Sequence, residues 1–305
     1  MAHQKPHSVK TISEFHQLFG LPKPEHPLIS IVNYADLNRN TADQPATILF
    51  GYYTISLKRG VDKLHYGQQQ YDFDDGVLYF MAPNQILKSN PNPNGNLNRS
   101  GWLLLFHPDF LWNTSLAKKI KQYDFFDYAV NEALFLSEKE EDILNQIVEN
   151  IKREYQSNID KFSQDIIISQ IETLLNYSER FYHRQFITRK KSNHQILERL
   201  EKLLSDYFDE EDLSNKGLPS VQYIADSLNV SASYLTGLLK VLTGQSTQQH
   251  IHNKLIDKAK EKLSTTDKTI SEIAFELGFE HSQSFSKLFK AKTHFSPLEF
   301  RQSLN

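Results

Sequence analysis

The 305-residue sequence predicts a multidomain α+β protein: a small antiparallel β-barrel or sandwich with flanking helices, followed by an all-α part holding two helix-turn-helix units. Three observations predict it. Between about 27 and 110, short runs dense in β-branched and aromatic residues alternate with turn signals. Beyond Phe110 the apolar residues recur at helical spacing. Near the C-terminus one helical pattern occurs twice, in Val221 to Ser246 and in Ile270 to Phe300.

Four strands are expected, at Ile29–Tyr34, Ile48–Leu57, Gly76–Met81 and Trp102–Phe106. Asp74-Asp75-Gly76 reads as a turn, and the run 90–98, NPNPNGNLN, as a polar loop that no strand tolerates. Strands of this length and spacing suit a small antiparallel barrel or sandwich. Its aromatic residues Tyr52, Tyr53, Tyr66, Tyr71, Tyr79 and Phe80 either surround a small ligand or fill the interior themselves. Ser137 with Glu140 forms a capping box that opens a helix over Glu138–Gln156, with Ile143, Leu144, Ile147 and Ile151 on one stripe. The segment Phe162–Phe186 carries more apolar surface than one face of a lone helix needs. Packing against the β-structure and the preceding helix accounts for that surface, and so does a dimer seam.

The basic polar run 187–194, ITRKKSNH, is expected as a connector dividing the chain into 1–190 and 191–305. Helix Gln195–Phe208 opens the second part, and an acidic loop, Asp209–Gly217, follows. The first helix-turn-helix unit spans about 221–242 and the second about 270–290. Ile224, Ala225 and Leu228 match Ile273, Ala274 and Leu277 at a constant offset. After the turn the offset grows by one residue, pairing Leu235 with Phe285, Leu238 with Leu288, Leu239 with Phe289, Lys240 with Lys290, Thr243 with Thr293 and Ser246 with Ser296. Between the units, Thr247–Leu263 reads as a rigid spacer helix with Ile251, Leu255, Ala259 and Leu263 on one side. Lys254, Lys258 and Lys262 recur on the other, where Lys258 is assigned to phosphate or solvent. Thr269 with Glu272 caps the second unit, and Gly278 breaks it into two helices. Ser282, Gln283, Ser284, Ser286 and Lys287 give its second helix a hydrogen-bonding face able to read base edges.

At these residues the sequence resembles the AraC/XylS family of bacterial transcription regulators. The family's second unit typically reads I-x-x-I-A-x-x-x-G-F-x-x-x-x-x-F-x-x-x-F-K-x-x-x-G-x-x-P-x-x-[FY]-R. That frame is met by Ile270, Ile273, Ala274, Gly278, Phe279, Phe285, Phe289, Lys290, Pro297, Phe300 and Arg301. His294 stands where the family usually has glycine, so a local backbone adjustment without loss of fold is expected. The resemblance implies that 1–190 is a cupin-like sensor and dimerisation domain, its β-barrel at about 27–110 and its helices at about 111–186. It implies further that Ser233 and Thr236 of the first unit face bases, with Lys240 near phosphate. Gly237 departs from relatives that often carry a large polar side chain there. In the second unit Gln283 suits an adenine edge and Lys287 a guanine or a phosphate, while Ser282, Ser284 and Ser286 suit either. Two recognition helices on one rigid body would enter successive major-groove segments about one helical turn apart.

Composition sets limits. The formal net charge is −3. Lys240–Asn305 nevertheless holds ten Lys and Arg against seven Asp and Glu, while Asp206–Asp212 concentrates five acidic residues. So modest a basic field implies moderate affinity per monomer and a need for a dimer, because phosphate neutralisation supplies much of the binding free energy. The absence of cysteine excludes a disulfide scaffold, a Cys-ligated zinc site and a thiol nucleophile. Cupin metalloenzymes usually place two histidines one residue apart on a strand. Here His65 stands alone in the β-rich region, and His250 and His252 fall on a helix. No metal, cofactor or catalytic residue is assigned, and no enzymatic activity. The N-terminus lacks the apolar core of a signal peptide, and no stretch is long and apolar enough to span a membrane, so a cytoplasmic location is expected. Expected partners are double-stranded DNA at promoter half-sites, a second copy of the chain and a small-molecule effector, with RNA polymerase a further candidate. Two alternatives stand beside an effector-controlled regulator: a cupin-fold enzyme with an appended DNA-binding tail, and a ligand-independent dimeric DNA-binding protein.

Overall fold

The computed structural model describes residues 6–37, 47–59, 76–88, 100–128, 132–157, 160–188, 190–209 and 213–303. His65, Tyr66, Tyr71 and the loop 90–98 lie outside them. The chain divides into two units, Met1–Gln185 and Phe186–Asn305. The described strands all belong to the first, and the second is helical.

In the first unit, β1 (His7–Val9), β3 (Thr47–Phe50) and β6 (Ile86–Lys88) form a three-stranded sheet in the order β1-β3-β6. The strands β2 (Ile29–Asn33), β4 (Tyr53–Arg59), β5 (Val77–Met81), β7 (Ser100–Phe106) and β8 (Leu134–Phe135) form a five-stranded sheet in the order β2-β7-β4-β5-β8. Only β1 and β3 pair in parallel among the described strands. The described residues therefore form two sheets and close no barrel. The single strand expected at Ile48–Leu57 is two strands, one in each sheet. The crossing lies at Gly51, whose N–H donates to the Val9 carbonyl at 2.9 Å. A Cβ on Gly51 would stand 3.1 Å from the Lys10 carbonyl oxygen, so the close backbone approach favours glycine there.

Two layers flank the five-stranded sheet. On one side α1 (Ile12–Leu18) and the three-stranded sheet contribute Val9, Ile12, Phe15 and Phe50 to an apolar layer shared with Val32, Leu103 and Leu105. After the short α2 (Leu116–Lys119), α3 (Glu138–Gln156) covers the other side. There the Trp102 Nε1–H donates to Asn145 Oδ1 at 2.8 Å, and the Tyr155 hydroxyl accepts from the Ile31 N–H at 3.2 Å. The start of α3 is held by Glu140, whose Oε2 accepts from the Ser137 N–H at 2.9 Å. In α4 (Ser163–Thr188), Ile167, Ile168, Ile171, Leu174, Leu175, Phe181 and Tyr182 are buried. Packing inside the unit thus consumes most of the apolar surface that also suggests a dimer seam; Phe162 and Ile166 stay exposed.

The second unit begins within α4 and continues in α5 (Lys190–Asp209). The run 187–194 is therefore helical up to Thr188 and again from Lys190, where a polar connector is expected. Buried Asn193 gives the physical reason: its Nδ2 donates to the Phe186 carbonyl at 2.5 Å and so satisfies a backbone group near the helix end. The helices α6 (Leu213–Lys216), α7 (Val221–Leu228), α8 (Ala232–Thr243), α9 (Thr247–Thr265), α10 (Ile270–Glu276), α11 (Ser282–Thr293) and α12 (Pro297–Gln302) follow. The central helix α9 touches α5, α8, α10, α11 and α12 through Ile251, Leu255, Ile256, Ala259 and Leu263, all buried. Arg301 ties α12 to the end of α9, its Nε–H donating to the Leu263 carbonyl at 3.2 Å.

Candidate nucleic-acid interface

The two helix pairs α7–α8 and α10–α11 repeat one another in their hydrogen bonds as well as in their sequence. In the first turn the Asn229 N–H donates to Asp226 at 3.0 Å and the Val230 N–H to Ala225 at 3.1 Å. In the second the Gly278 N–H donates to Phe275 and the Phe279 N–H to Ala274, both at 3.0 Å. Each is a Schellman closure, with Asn229 at φ 59° and Gly278 at φ 83° in the left-handed region. The next helix starts at Ser231 as cap in the first unit and at His281 in the second, so Glu280 is the extra residue that lengthens the second turn. The Ser231 hydroxyl accepts from the Tyr234 N–H at 3.2 Å, whereas no side chain caps α11.

Inside, Ile224, Ala225, Leu228, Leu235, Leu238 and Leu239 are buried in one copy, and Ile273, Ala274, Leu277, Phe285 and Phe289 in the other. The equivalence continues past the recognition helices. Thr243 and Thr293 each donate to the carbonyl four residues earlier at 2.8 Å. Ser246 with Gln249, and Ser296 with Glu299, each form a capping box on the following helix. Gly244 (φ 74°) and His294 (φ 66°, ψ −2°) both end their helices in the left-handed conformation. The backbone adjustment expected at His294 is absent; the turn keeps the geometry of its glycine counterpart, and a side chain that disfavours it is accommodated. His294→Gly should therefore stabilise the second unit by about 0.5–1 kcal/mol, read as a higher denaturant midpoint by far-UV ellipticity.

Helical spacing determines what each recognition helix presents. On α11, Gln283, Lys287 and Lys290 occupy successive turns of one stripe and all are exposed. Ser284 is exposed beside them, and Ser282 and Ser286 are half-buried at the margin. Lys290 is missing from the sequence-based set, although its spacing from Lys287 and its pairing with Lys240 were the signal for it. On α8 the matching stripe is Ser233, Gly237 and Lys240, of which Lys240 is exposed and Ser233 half-buried. Thr236 is turned partly inward: its hydroxyl lies 3.0 Å from that of fully buried Thr247, at the start of α9. The two helices therefore share a scaffold and differ in reach, α11 offering an amide and two ammonium groups where α8 offers a hydroxymethyl, a hydrogen and one ammonium.

Most lysines of the spacer side of α9 are engaged elsewhere. Lys258 pairs with Asp209 at 2.9 Å and Glu261 at 3.0 Å, a correction to its assignment to phosphate or solvent. The bridge holds the Asp209 carboxyl below the usual carboxylate range and raises the Lys258 ammonium. Lys262 pairs with Glu276 at 2.7 Å, and Lys268 pairs with the same carboxylate. Lys292 donates to Asn253 Oδ1 at 3.2 Å. On α9, His250 meets the Thr243 hydroxyl at 2.9 Å and His252 the Gln248 amide at 2.8 Å, so the two rings serve different partners. Burial lowers the pKa of both.

Residues 224–303 match the family model described as "Helix-turn-helix domain". The chain is 30% identical over 140 residues to the HTH-type transcriptional activator RhaS of Enterobacter sp. (strain 638), covering 46% of each chain. It is 36% identical over 77 residues to the raffinose operon transcriptional regulatory protein RafR of Pediococcus pentosaceus, covering 25% of this chain and 28% of that one. These matches span about half or less of the length of those relatives. Among solved structures, the C-terminal domain of AraT, a response regulator from Geobacillus stearothermophilus, is 29% identical with a TM-score of 0.31, over 35% of this chain and 84% of that one.

Proposed function

From a C-terminal unit that is an AraC-type helix-turn-helix DNA-binding domain, we infer that the whole chain is a sequence-specific transcription regulator, controlled by a small molecule at its N-terminal unit. The observation that carries the reading is the duplicated pair of recognition helices on one spine, with Gln283, Lys287 and Lys290 lined up on the second. Gln283 would bond an adenine edge, Lys287 a guanine or a phosphate, and Lys290 and Lys240 phosphate, with Ser282, Ser284 and Ser286 filling in around them. Ser233 is the first unit's remaining base-facing side chain, since the Thr236 hydroxyl bonds Thr247. The second unit would accordingly supply most of the sequence preference and the first would chiefly hold the register.

The N-terminal unit is read as a cupin-like sensor, supported by its two sheets and the aromatic cavity between them. Effector binding would shift the population competent to bind promoter half-sites. The weak basic balance favours a homodimer on DNA, with Phe162 and Ile166 of α4 available to its seam. RNA polymerase would be a further partner at the promoter. The relatives' names are those of regulators, which disfavours the enzyme reading.

Gln283→Ala should cost roughly 1–3 kcal/mol at the cognate site and relax preference at one base pair. Binding-site selection with wild type and variant measures both; an unchanged motif at unchanged affinity would remove Gln283 from the readout.

A further inference from the structure

The recognition helices α8 and α11 both pack on α9, so the angle between them depends on how α9 holds each. A chain of side-chain hydrogen bonds crosses α9 from one to the other. The Lys292 ammonium, on the last turn of α11, donates to Asn253 Oδ1 at 3.2 Å, and Asn253 Nδ2 donates to Gln245 Oε1 at 2.9 Å. Gln245 is fixed in turn to the end of α8. Its N–H donates to the Thr243 hydroxyl at 3.3 Å, and that hydroxyl donates to the Leu239 carbonyl at 2.8 Å. Having spent its one hydrogen inside α8, the same hydroxyl accepts from His250 Nε2 of α9 at 2.9 Å.

Chemistry sets the direction of the chain. An ammonium can only donate, so the carbonyl end of Asn253 faces Lys292 and its amide N–H is left for Gln245. The chain is not a product of the repeat: Gln245 and Lys292 correspond to Phe295 and Leu242 in the other copy. Bonds this accessible add little net stability, but they are directional, whereas the apolar contacts beneath them tolerate sliding. The angle matters because the lever is long. At a separation of about 34 Å, one turn of the duplex, a change of roughly 10° moves the far helix by about 6 Å, close to two base-pair steps.

We propose that Asn253 is a positioning residue that sets the spacing specificity of DNA recognition, by clasping the end of α8 through Gln245 and the end of α11 through Lys292. The proposal rests on the reading of α8 and α11 as two helices that enter successive major-groove segments, and it names the residue that fixes how far apart those segments must be.

The test uses the full chain and a duplex that the wild-type protein selects from a random pool, together with versions carrying one base pair inserted or deleted between its two preferred blocks. Wild type should bind the altered duplexes about fivefold or more weakly than the selected one. Asn253→Ala should bring that ratio below about twofold with Tm little changed. Lys292→Met, at an exposed position, should lower the ratio in the same direction. Asn253→Asp should restore it, because a carboxylate accepts from Lys292 and from a turned Gln245 amide. Uniform weakening on all duplexes with the ratio intact in Asn253→Ala and Lys292→Met would mark a purely structural or phosphate role and overturn the proposal. A wild type that selects a site yet tolerates either change of spacing overturns it too and leaves the regulator standing, whereas a wild type that selects no site removes both readings.

Discussion

Phe289→Ala is expected to destabilise the C-terminal unit by about 3–5 kcal/mol, a large part of what holds a small domain together. Phe289 is completely buried on α11, with ring centres 5.7 Å from Phe285 and 5.5 Å from Phe300. Truncation removes the transfer free energy of the ring, a tilted contact with Phe285, an edge-to-face contact with Phe300 and the support under the stripe that carries Gln283, Lys287 and Lys290. Phe300→Ala should cost less, because Phe300 is only half-buried. Both tryptophans, Trp102 and Trp112, lie in the first unit, so their fluorescence should be unchanged while helical ellipticity melts early. A variant with wild-type melting and wild-type DNA affinity would mean that α11 is held by something other than this core.

The second unit was legible in the sequence because each signal occurs twice. Periodicity gave the buried faces of α7 and α10, and the one-residue change of offset located the longer turn now seen around Glu280. Capping residues located the starts of α3 and α10, at Glu138 and Ile270. What escaped depends on tertiary partners. β1, β6 and β8 have three residues or fewer, too short for an alternating pattern, and exist through pairing with distant strands. The break at Gly51 is set by the nearness of Lys10, about forty residues away in sequence. Lys258 looked free because Asp209 belongs to another helix. Among candidate site residues, exposure followed from helical spacing, whereas the tether of Thr236 to Thr247 required the relative placement of α8 and α9.

Gly278→Ala should cost about 2–4 kcal/mol, through two separable effects. At φ 83° an added Cβ is strained by roughly 1–2 kcal/mol whatever surrounds it. It would also lie 3.0 Å from the Gly217 Cα and carbonyl carbon and from the Leu213 carbonyl oxygen, backbone atoms that yield only if the α6 turn moves. Gly278→Asn distinguishes the two. Asn relaxes the backbone term, as Asn229 does at the equivalent turn, but its Cβ meets the same atoms. If strain dominates, the Asn variant recovers most of the loss; if the contact dominates, both variants fall together, and amide exchange should report opening in α6 as well as α10. The geometry favours the second outcome, since three backbone contacts at 3.0 Å converge on one position. DNA affinity should fall with stability, because α10 and this turn fix the angle at which α11 presents Gln283 and Lys287.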